Sequence, residues 1–227
     1  MIDWAPFAIR RDPVGPAQAK HGYNAPEPGH KDGLVVHSMV GALGAALNRL
    51  DGPDRASWTF SNPKAGPLLQ HYPVGFHTWA SGSPTANIRF VSIEHEGGGP
   101  GNYSEPLTES QIKNLVDLIS WLESGFGWKL RRPDSDTDVD ATAFEHRECV
   151  RFGSAPTACP SGRLDGLWGS ILQQLEDDVT KEEVQAMLTF TAAVLRNEIK
   201  AGFDQQGNLL KLSLTDLDAR VKELEKR

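Results

Sequence analysis

The chain of 227 residues has a formal net charge of −7 at pH 7, with 39% hydrophobic and 23% charged residues. These proportions are typical of a soluble globular protein and exclude a disordered or fibrous chain. The acidic balance, without a long run of Lys or Arg, argues against nucleic acid as a partner. Because no stretch of about 18 apolar residues occurs, we expect no insertion into a membrane.

The first 32 residues contain five prolines, interspersed with Gly, His and Asn. This composition predicts an extended N-terminal arm, residues 1–32, that packs on the domain through Trp4 and Phe7 and lacks regular structure. The arm has no basic region followed by an apolar one, so it does not have the form of a secretory signal peptide. We therefore expect the protein to be made in the cytoplasm and to stay soluble.

A buried strand is predicted next, because the apolar run Leu34–Val36 leads directly into His37. Apolar residues then recur at helical spacing, which predicts a helix from Ser38 to about Leu50 that stops at Asp51. Its predicted apolar positions are Val40, Leu43, Ala46 or Leu47, and Leu50.

Three further strands are predicted from β-branched and aromatic runs. Residues 57–61 and 68–72 predict a pair of strands joined by a turn at Asn62. Residues 87–94 predict a strand inside the sheet, with apolar positions at Ile88, Phe90 or Val91, and Ile93, that carries Glu94 at its end.

Helices are predicted between and after these strands. Thr108 and Gln111 have the spacing of a capping box and open a helix that should end at Gly125. A closing helix is predicted over residues 164–175. Together, the elements predict an α/β fold with a single mixed central β-sheet flanked by helices, followed by a C-terminal helical extension.

A metal site is predicted from three side chains. His146 and Cys159 flank a loop rich in Gly, Ser and Pro, so an imidazole and a thiol can converge on one ion. A catalytic zinc takes three protein ligands and keeps one open position. His37, at the end of its strand, is the best candidate for the third ligand. A core or capping histidine is the alternative interpretation of His37, and spacing alone leaves the two evenly balanced.

The chain has two cysteines, Cys149 and Cys159, which could in principle form a disulfide. If Cys159 binds metal, it is no longer available for that bond. Cys149 is then a free thiol, which suits a reducing compartment better than secretion.

Three segments that include these residues occur in the chain in a fixed order. They are Val35-Val36-His37, the segment Val91–Gly97, and His146-Arg147-Glu148 followed by Pro156–Pro160. Together they resemble the zinc-dependent N-acetylmuramoyl-L-alanine amidases of the type 2 class, which includes many phage endolysins and the peptidoglycan recognition proteins. The resemblance runs from about Gly33 to Gly162.

The resemblance implies one Zn²⁺ per chain, with three protein ligands: His37, His146 and Cys159. It implies that Glu94 is the general base. Thr157 stands where many family members carry a Lys and the recognition proteins a Thr, beside the oxyanion that develops during the reaction. A hydroxyl offers that oxyanion a neutral hydrogen bond, which is weaker than one from a charged donor. We also expect Glu96 to share a face with Glu94 and to raise the pKa of Glu94 by like-charge repulsion.

Two tryptophans are candidate substrate-binding residues. Trp79 lies in a segment that resembles a family turn beside the substrate cleft, and Trp58 lies in the first strand of a segment that resembles the family's central hairpin. Either ring could bind glycan or peptide, or could instead cover the core. The sequence leaves both interpretations open.

The function implied by the resemblance is cleavage of the amide bond between N-acetylmuramic acid and L-alanine of the peptidoglycan stem peptide, by a phage-type lysin. Without a signal peptide, such an enzyme would reach the cell wall after lysis, through a membrane pore, or as part of a particle. The alternatives are a non-catalytic peptidoglycan-binding module and a virion structural protein that carries a wall-degrading domain. The presence of Cys159 beside both histidines favours the enzyme.

The predicted domains are a catalytic domain, residues 1–175, and a helical tail, residues 176–227. The end of the tail has an a/d seam of about two heptads, which alone is a marginal coiled coil. The tail could dock on its own domain, pair with a second copy or join a larger particle. The seam consists of Leu210, Leu214, Leu217, Val221 and Leu224.

Overall fold

The computed structural model describes residues 3–14 and 30–177, together with residues 188, 189, 191, 192 and 222. The chain divides into two compact units, Met1–Leu175 and Glu176–Arg227. The predicted two-heptad seam lies outside the described residues, apart from the helical residue 222, and so does most of the predicted arm. Among the described residues, no helix combines the length and apolar character needed to cross a membrane.

Six strands of the described part form one mixed sheet in the spatial order β1-β4-β3-β5-β2-β6. In chain order they are β1 (Ile9–Arg10), β2 (Gly33–Ser38), β3 (Phe60–Asn62), β4 (Leu69–Gln70), β5 (Phe90–His95) and β6 (Ala143–Glu145). β3, β5, β2 and β6 run parallel, whereas β4 is antiparallel to β3 and parallel to β1. This arrangement confirms the predicted α/β fold with a single mixed sheet.

The two longest strands, β2 and β5, place alternate side chains on opposite faces of the sheet. Val36 and Ile93 belong to the main core cluster, which also contains the apolar face of helix α3 (Glu109–Phe126). Val35 and Phe90 belong to a second cluster with Phe144 on the other face. By the same alternation, His37 and Glu94 project on the side of the second cluster.

Helix α3 begins as the sequence predicts. Thr108 accepts a hydrogen bond from the backbone N–H of Gln111, and the Gln111 side chain accepts one from the backbone N–H of Thr108. The helix ends two residues later than predicted. Gly127 is its C-cap in the left-handed conformation, with φ of 79°, which glycine adopts without steric cost.

The predicted helix after His37 is shorter than expected, since helix α1 spans Leu43–Asp51. Ser38 continues β2 instead, because it pairs with His95 of β5. Gly41 then forms an antiparallel bridge with Gly97, with N–O distances of 3.0 and 2.8 Å. Long-range pairing beyond the strand end therefore overrides the local helical pattern.

The predicted strand over residues 87–94 is also partly wrong. Residues up to Arg89 belong to helix α2 (Pro84–Arg89), and β5 starts at Phe90. Ser83 caps this helix by accepting a hydrogen bond from the backbone N–H of Ala86, and Pro84 is pre-set for the first helical position. The Ser-Pro pair is a helix-start signal that outweighs the apolar run.

Other boundaries also differ from prediction. The strands predicted over residues 57–61 and 68–72 are Phe60–Asn62 and Leu69–Gln70, so Asn62 ends a strand. The arm is not wholly irregular, because Ile9–Arg10 pairs with β4 as an edge strand. Near the end of the first unit, residues 159–167 form turns, and residues 168–177 are helical, so the closing helix begins after the predicted residue 164. That helix is called the C-terminal helix below.

Candidate metal centre and active site

Two of the predicted site residues lie side by side near the ends of β2 and β5. His37 of β2 and Glu94 of β5 are register partners in a parallel pair, so their side chains project from the same face. His37 is 1% exposed, and its Nε2 has no hydrogen-bond partner in the described part of the chain. A buried ring nitrogen without a partner is uncommon in proteins and is consistent with a metal ligand.

His146 reaches this face from the edge of the sheet. It is the first residue of a 3-10 helix, His146–Phe152, that follows β6 directly. Its ring lies 4.5 Å from that of His37, centroid to centroid. Burial lowers the pKa of His146, while a hydrogen bond to the backbone of Ser81 opposes that shift. Histidines that ligate metals commonly donate their second ring N–H to such a carbonyl, which fixes the tautomer.

Cys159 approaches from the loop that follows the 3-10 helix. The backbone N–H of Ser38 donates to its Sγ at 3.2 Å, and the backbone N–H of Arg147 donates to its carbonyl oxygen at 2.7 Å. The thiol is therefore held against the end of β2, one residue beyond His37. Cys149 is a separate, buried free cysteine in the second core cluster.

The three side chains can present donor atoms that all lie within 4.8 Å of one another: those of His37, His146 and Cys159. A tetrahedral zinc site with Zn–N of about 2.0 Å and Zn–S of about 2.3 Å separates its ligand atoms by roughly 3.3–3.8 Å. The observed spacing is within about an ångström of that requirement. Two imidazoles and one thiol are also a donor set that suits zinc, so the residues present fit this ion.

Their protonation is compatible with this role. Burial, with the neighbouring His146 and His95, holds the pKa of His37 well below its usual range, so the ring is neutral, as a metal ligand must be. Burial and the Glu94 carboxylate raise the pKa of the Cys159 thiol to about 12, so without a cation the sulfur keeps its proton.

Glu94 borders the three donors. Its Oε2 is buried without a hydrogen-bond partner among the described residues. Burial raises the pKa of Glu94 to about 8, while the charges of Arg49 and Arg163 oppose the shift. The predicted cause, repulsion by Glu96, is wrong. The Glu96 carboxylate instead accepts hydrogen bonds from the backbone N–H groups of Leu43 and Lys64, at 3.0 and 2.9 Å.

The remaining candidates differ in how far they are available to a substrate. Thr157 is partly exposed, and its hydroxyl accepts a hydrogen bond from the Cys159 N–H, which leaves its proton to be donated. Trp79 is partly exposed, with the guanidinium of Arg55 4.0 Å from its ring. Trp58, in contrast, is 5% exposed and packs in a core cluster, with its indole N–H donated to Ser61. Trp58 thus offers a substrate little surface.

Arg163 is a residue of this region that the sequence analysis missed. It is 2% exposed and donates to the carbonyl oxygens of His95 and Glu96, at 3.0 and 2.8 Å, and to the hydroxyl of Ser38 at 3.1 Å. It therefore ties the segment after Cys159 to the ends of both β2 and β5. A lone arginine in a loop gives no local pattern, and only its place four residues after Cys159 could have drawn attention to it.

A protein-family model matches the part of the chain that carries the candidate site. The family model described as "Amidase_2: N-acetylmuramoyl-L-alanine amidase" matches residues 27–162. This range contains all three candidate metal ligands, Glu94 and Thr157. Comparison with curated proteins found no match.

Solved structures share the fold. The hydrolase AmiA of Staphylococcus aureus, in complex with its ligand, is 17% identical with a TM-score of 0.57, over 78% of this chain and 87% of that chain. AmpD is 15% identical with a TM-score of 0.54, over 77% and 98% of the two chains. PlyL is 16% identical with a TM-score of 0.51, over 74% and 96%. At these identities the likeness concerns the fold.

Proposed function

Since the chain belongs to the N-acetylmuramoyl-L-alanine amidase family, we propose that it is a zinc-dependent hydrolase that cleaves the bond between N-acetylmuramic acid and L-alanine of the stem peptide. Family membership supports a peptidoglycan amidase activity. The zinc dependence rests on one observation, the convergence of His37, His146 and Cys159 beside Glu94.

In this proposal, the two imidazoles and the thiolate would hold one zinc ion. When bound, zinc supplies Lewis-acid polarisation of a carbonyl group and lowers the pKa of water toward neutrality. Burial of His37 and the hydrogen bond of His146 to the Ser81 backbone keep both rings oriented before a ligand arrives. The N–H of Ser38 would stabilise the thiolate form of Cys159, since it already donates to the sulfur.

Glu94 is proposed to move the proton. Amide hydrolysis joins a water oxygen to the carbonyl carbon and breaks the C–N bond, so a proton must pass from water to the departing amine of L-alanine. A carboxyl with a pKa near the working pH can accept that proton and return it. Burial raises the pKa of Glu94 toward that range, and its Oε2 has no competing hydrogen bond among the described residues.

Thr157 is proposed to donate its hydroxyl proton to the oxygen that becomes negative in the transition state. The Cys159 N–H, donated to the same hydroxyl, orients it toward the thiol side of the site. The hydroxyl provides one neutral hydrogen bond, so we propose that its contribution is smaller than that of a charged donor. Trp79, which is partly exposed, remains a proposed contact for glycan or peptide.

The biological setting proposed for this activity is that of a phage-type lysin, which meets the cell wall after lysis or through a membrane pore. Its substrate is bacterial peptidoglycan. Self-association through residues 176–227 is a separate proposal, supported only by the spacing of leucines in the sequence.

Digestion of purified peptidoglycan tests the proposed bond specificity. The released fragments are identified by mass spectrometry and by N-terminal analysis, with the Glu94→Gln variant as the control. We expect stem peptides with free L-alanine amino termini from the wild-type protein alone. Fragments with new reducing ends and no free L-alanine would indicate a glycosidase and contradict the proposal, and binding without cleavage would indicate a recognition module.

A further inference from the structure

A buried carboxylate lies directly behind the candidate metal centre. Glu145 is the last residue of β6 and precedes His146, yet it is 1% exposed. Burying a carboxylate is costly unless it is paired and hydrogen-bonded. The reaction proposed above assigns no role to this group, so its partners are informative.

Three partners surround Glu145. The indole N–H of Trp168 donates to its Oε1 at 2.9 Å. The Nε of Arg147 forms an ion pair with Oε2 at 2.6 Å that lacks the alignment of a hydrogen bond, and a guanidinium nitrogen of Arg132 lies 3.7 Å from Oε1. Arg132 also stacks on the Trp168 ring, 4.4 Å from the ring centroid. The cluster therefore joins the end of β6 to the first residue of the C-terminal helix.

This cluster bridges the two segments that carry candidate ligands. Arg147 donates its backbone N–H to the carbonyl oxygen of Cys159 at 2.7 Å, while its side chain contacts Glu145. Trp168 lies nine residues after Cys159 in the chain. Its hydrogen bond to Glu145 therefore anchors the segment 159–168 to the end of β6. Two independent links thus hold the segment of His146 and the segment of Cys159 together.

The position of β6 explains why such links are needed. β6 has three residues and lies at the edge of the sheet, where β2 is its one strand partner among the described residues. Its backbone is supported on one side, and the 3-10 helix that begins at His146 adds no strand pairing. Side-chain contacts therefore add to the Arg147–Cys159 backbone hydrogen bond in fixing the distance from His146 to Cys159.

We infer that Glu145 and Trp168 are positioning residues that set the metal affinity of the site by holding His146 and Cys159 at a fixed separation. Neither residue contacts the metal in this arrangement. Outer groups that orient ligands commonly contribute 10–100-fold to metal affinity. The inference rests on the proposed metal site. It adds the two residues that hold the candidate ligands in place.

The chain offers a matched control for a test of Trp168. Trp128 also packs against the main core, and its indole N–H is donated to a carbonyl oxygen, that of Lys31, at 3.1 Å. Lys31 precedes the start of β2, at the end of the strand opposite His37. Trp168→Phe and Trp128→Phe therefore remove the same groups from the same core, but only the first removes a bond behind the metal site.

The experiment measures the zinc dissociation constant of the full-length wild-type protein and both variants by competition with a chromophoric chelator. Thermal unfolding of each metal-free protein reports the structural cost of each change. We expect similar losses of thermal stability, a zinc Kd about tenfold higher in Trp168→Phe, and a Kd within about twofold of wild type in Trp128→Phe.

Equal zinc Kd values in the two variants, with one zinc bound per wild-type chain, would overturn the inference and leave the metal site standing. A wild-type protein that binds no zinc would overturn the metal site and the inference together. If Trp168→Phe does not fold, Glu145→Gln replaces it. That change keeps an acceptor for the indole N–H but removes the charge that pairs with Arg147, so we expect a several-fold rise in Kd, and an unchanged Kd would overturn the inference.

Discussion

His37 and Glu94 are paired across two neighbouring parallel strands, and their side chains project from the same face of the sheet. The spacing between a candidate metal ligand and a candidate base is thus set by strand register, which is more rigid than a loop. His146 and Cys159 approach the same point from a 3-10 helix and a loop, and their placement depends on side-chain contacts.

Loss of the thiol should remove the metal. We predict that Cys159→Ala binds well below one zinc per chain and has no amidase activity, because two histidines alone leave the site without its third ligand. Cys149→Ala is the control, since Cys149 is not one of the three side chains whose donor atoms converge, and it should keep both zinc and activity. Zinc content by atomic absorption checks this. One zinc per chain in Cys159→Ala would end the assignment of Cys159.

The carboxylate of Glu94 should affect the rate without affecting the metal. We predict that Glu94→Gln keeps one zinc per chain and loses about a hundredfold or more in kcat, as expected for removal of a general base. Glu96→Gln removes one of the two acceptor oxygens that Glu96 offers to backbone N–H groups, but Glu96 is not among the converging donors, so this variant should keep a near-normal kcat. Near-normal turnover in Glu94→Gln would assign proton transfer to another group.

The hydroxyl of Thr157 should matter mainly in the transition state. Thr157→Val has nearly the same shape but no hydroxyl, so we predict a fall in kcat of about tenfold to a hundredfold with little change in KM. Steady-state kinetics on a soluble muropeptide checks this. A rise in KM with kcat unchanged would show that the hydroxyl contributes to ground-state binding instead.

His71 should make the fold sensitive to mild acid. Its Nε2 lies 2.8 Å from the Ser61 hydroxyl and its Nδ1 lies 3.0 Å from the Arg11 carbonyl oxygen, and burial lowers its pKa to about 4. The unfolded chain, with a pKa of about 6.5, therefore takes up the proton first. The contribution to stability is complete above about pH 6.5 and is lost as the pH falls toward 4.

We predict that wild type loses up to about 3 kcal/mol more unfolding free energy than His71→Gln between about pH 7.5 and pH 4. Urea unfolding at both pH values measures the difference. The other buried histidines titrate in both proteins, so their effects cancel in the comparison. Parallel losses in the two proteins would show that His71 is not the responsible group.

Removal of residues 176–227 should leave the chemistry intact. All candidate site residues lie in the unit Met1–Leu175, so we predict that the truncated chain still binds zinc and hydrolyses peptidoglycan. Light scattering of both forms would show whether the removed segment mediates self-association. A truncated chain that folds by circular dichroism but cannot cleave would place part of the active site in that segment.

Local sequence patterns were sufficient to predict several elements. The apolar run before His37 predicts β2, and Thr108 with Gln111 predicts the start of α3, because strand burial and helix capping depend on neighbours in the chain. Residue types and spacing pointed to the three candidate metal ligands, and the family resemblance added Glu94 and Thr157 as candidates. Strand register and loop geometry bring the three candidate ligands together. The resemblance is specific because three separate segments match the family in the same order along the chain.

Contacts between distant segments could not be predicted in this way. The start of α1 moved because Gly41 bridges to Gly97, and the arm gained a strand because Ile9 pairs with Leu69. The contacts of Arg163 and Trp168 behind the site depend on residues far away in the sequence. Hydrophobic periodicity and residue spacing within one segment do not predict such contacts. They are seen only in the folded structure.

The most direct test of zinc-dependent hydrolysis is a titration of zinc into the metal-free protein, followed by measurement of stem-peptide release. Our account predicts no release without metal, a linear rise with added zinc, and a plateau at one equivalent per chain. Full release by the metal-free protein would contradict it.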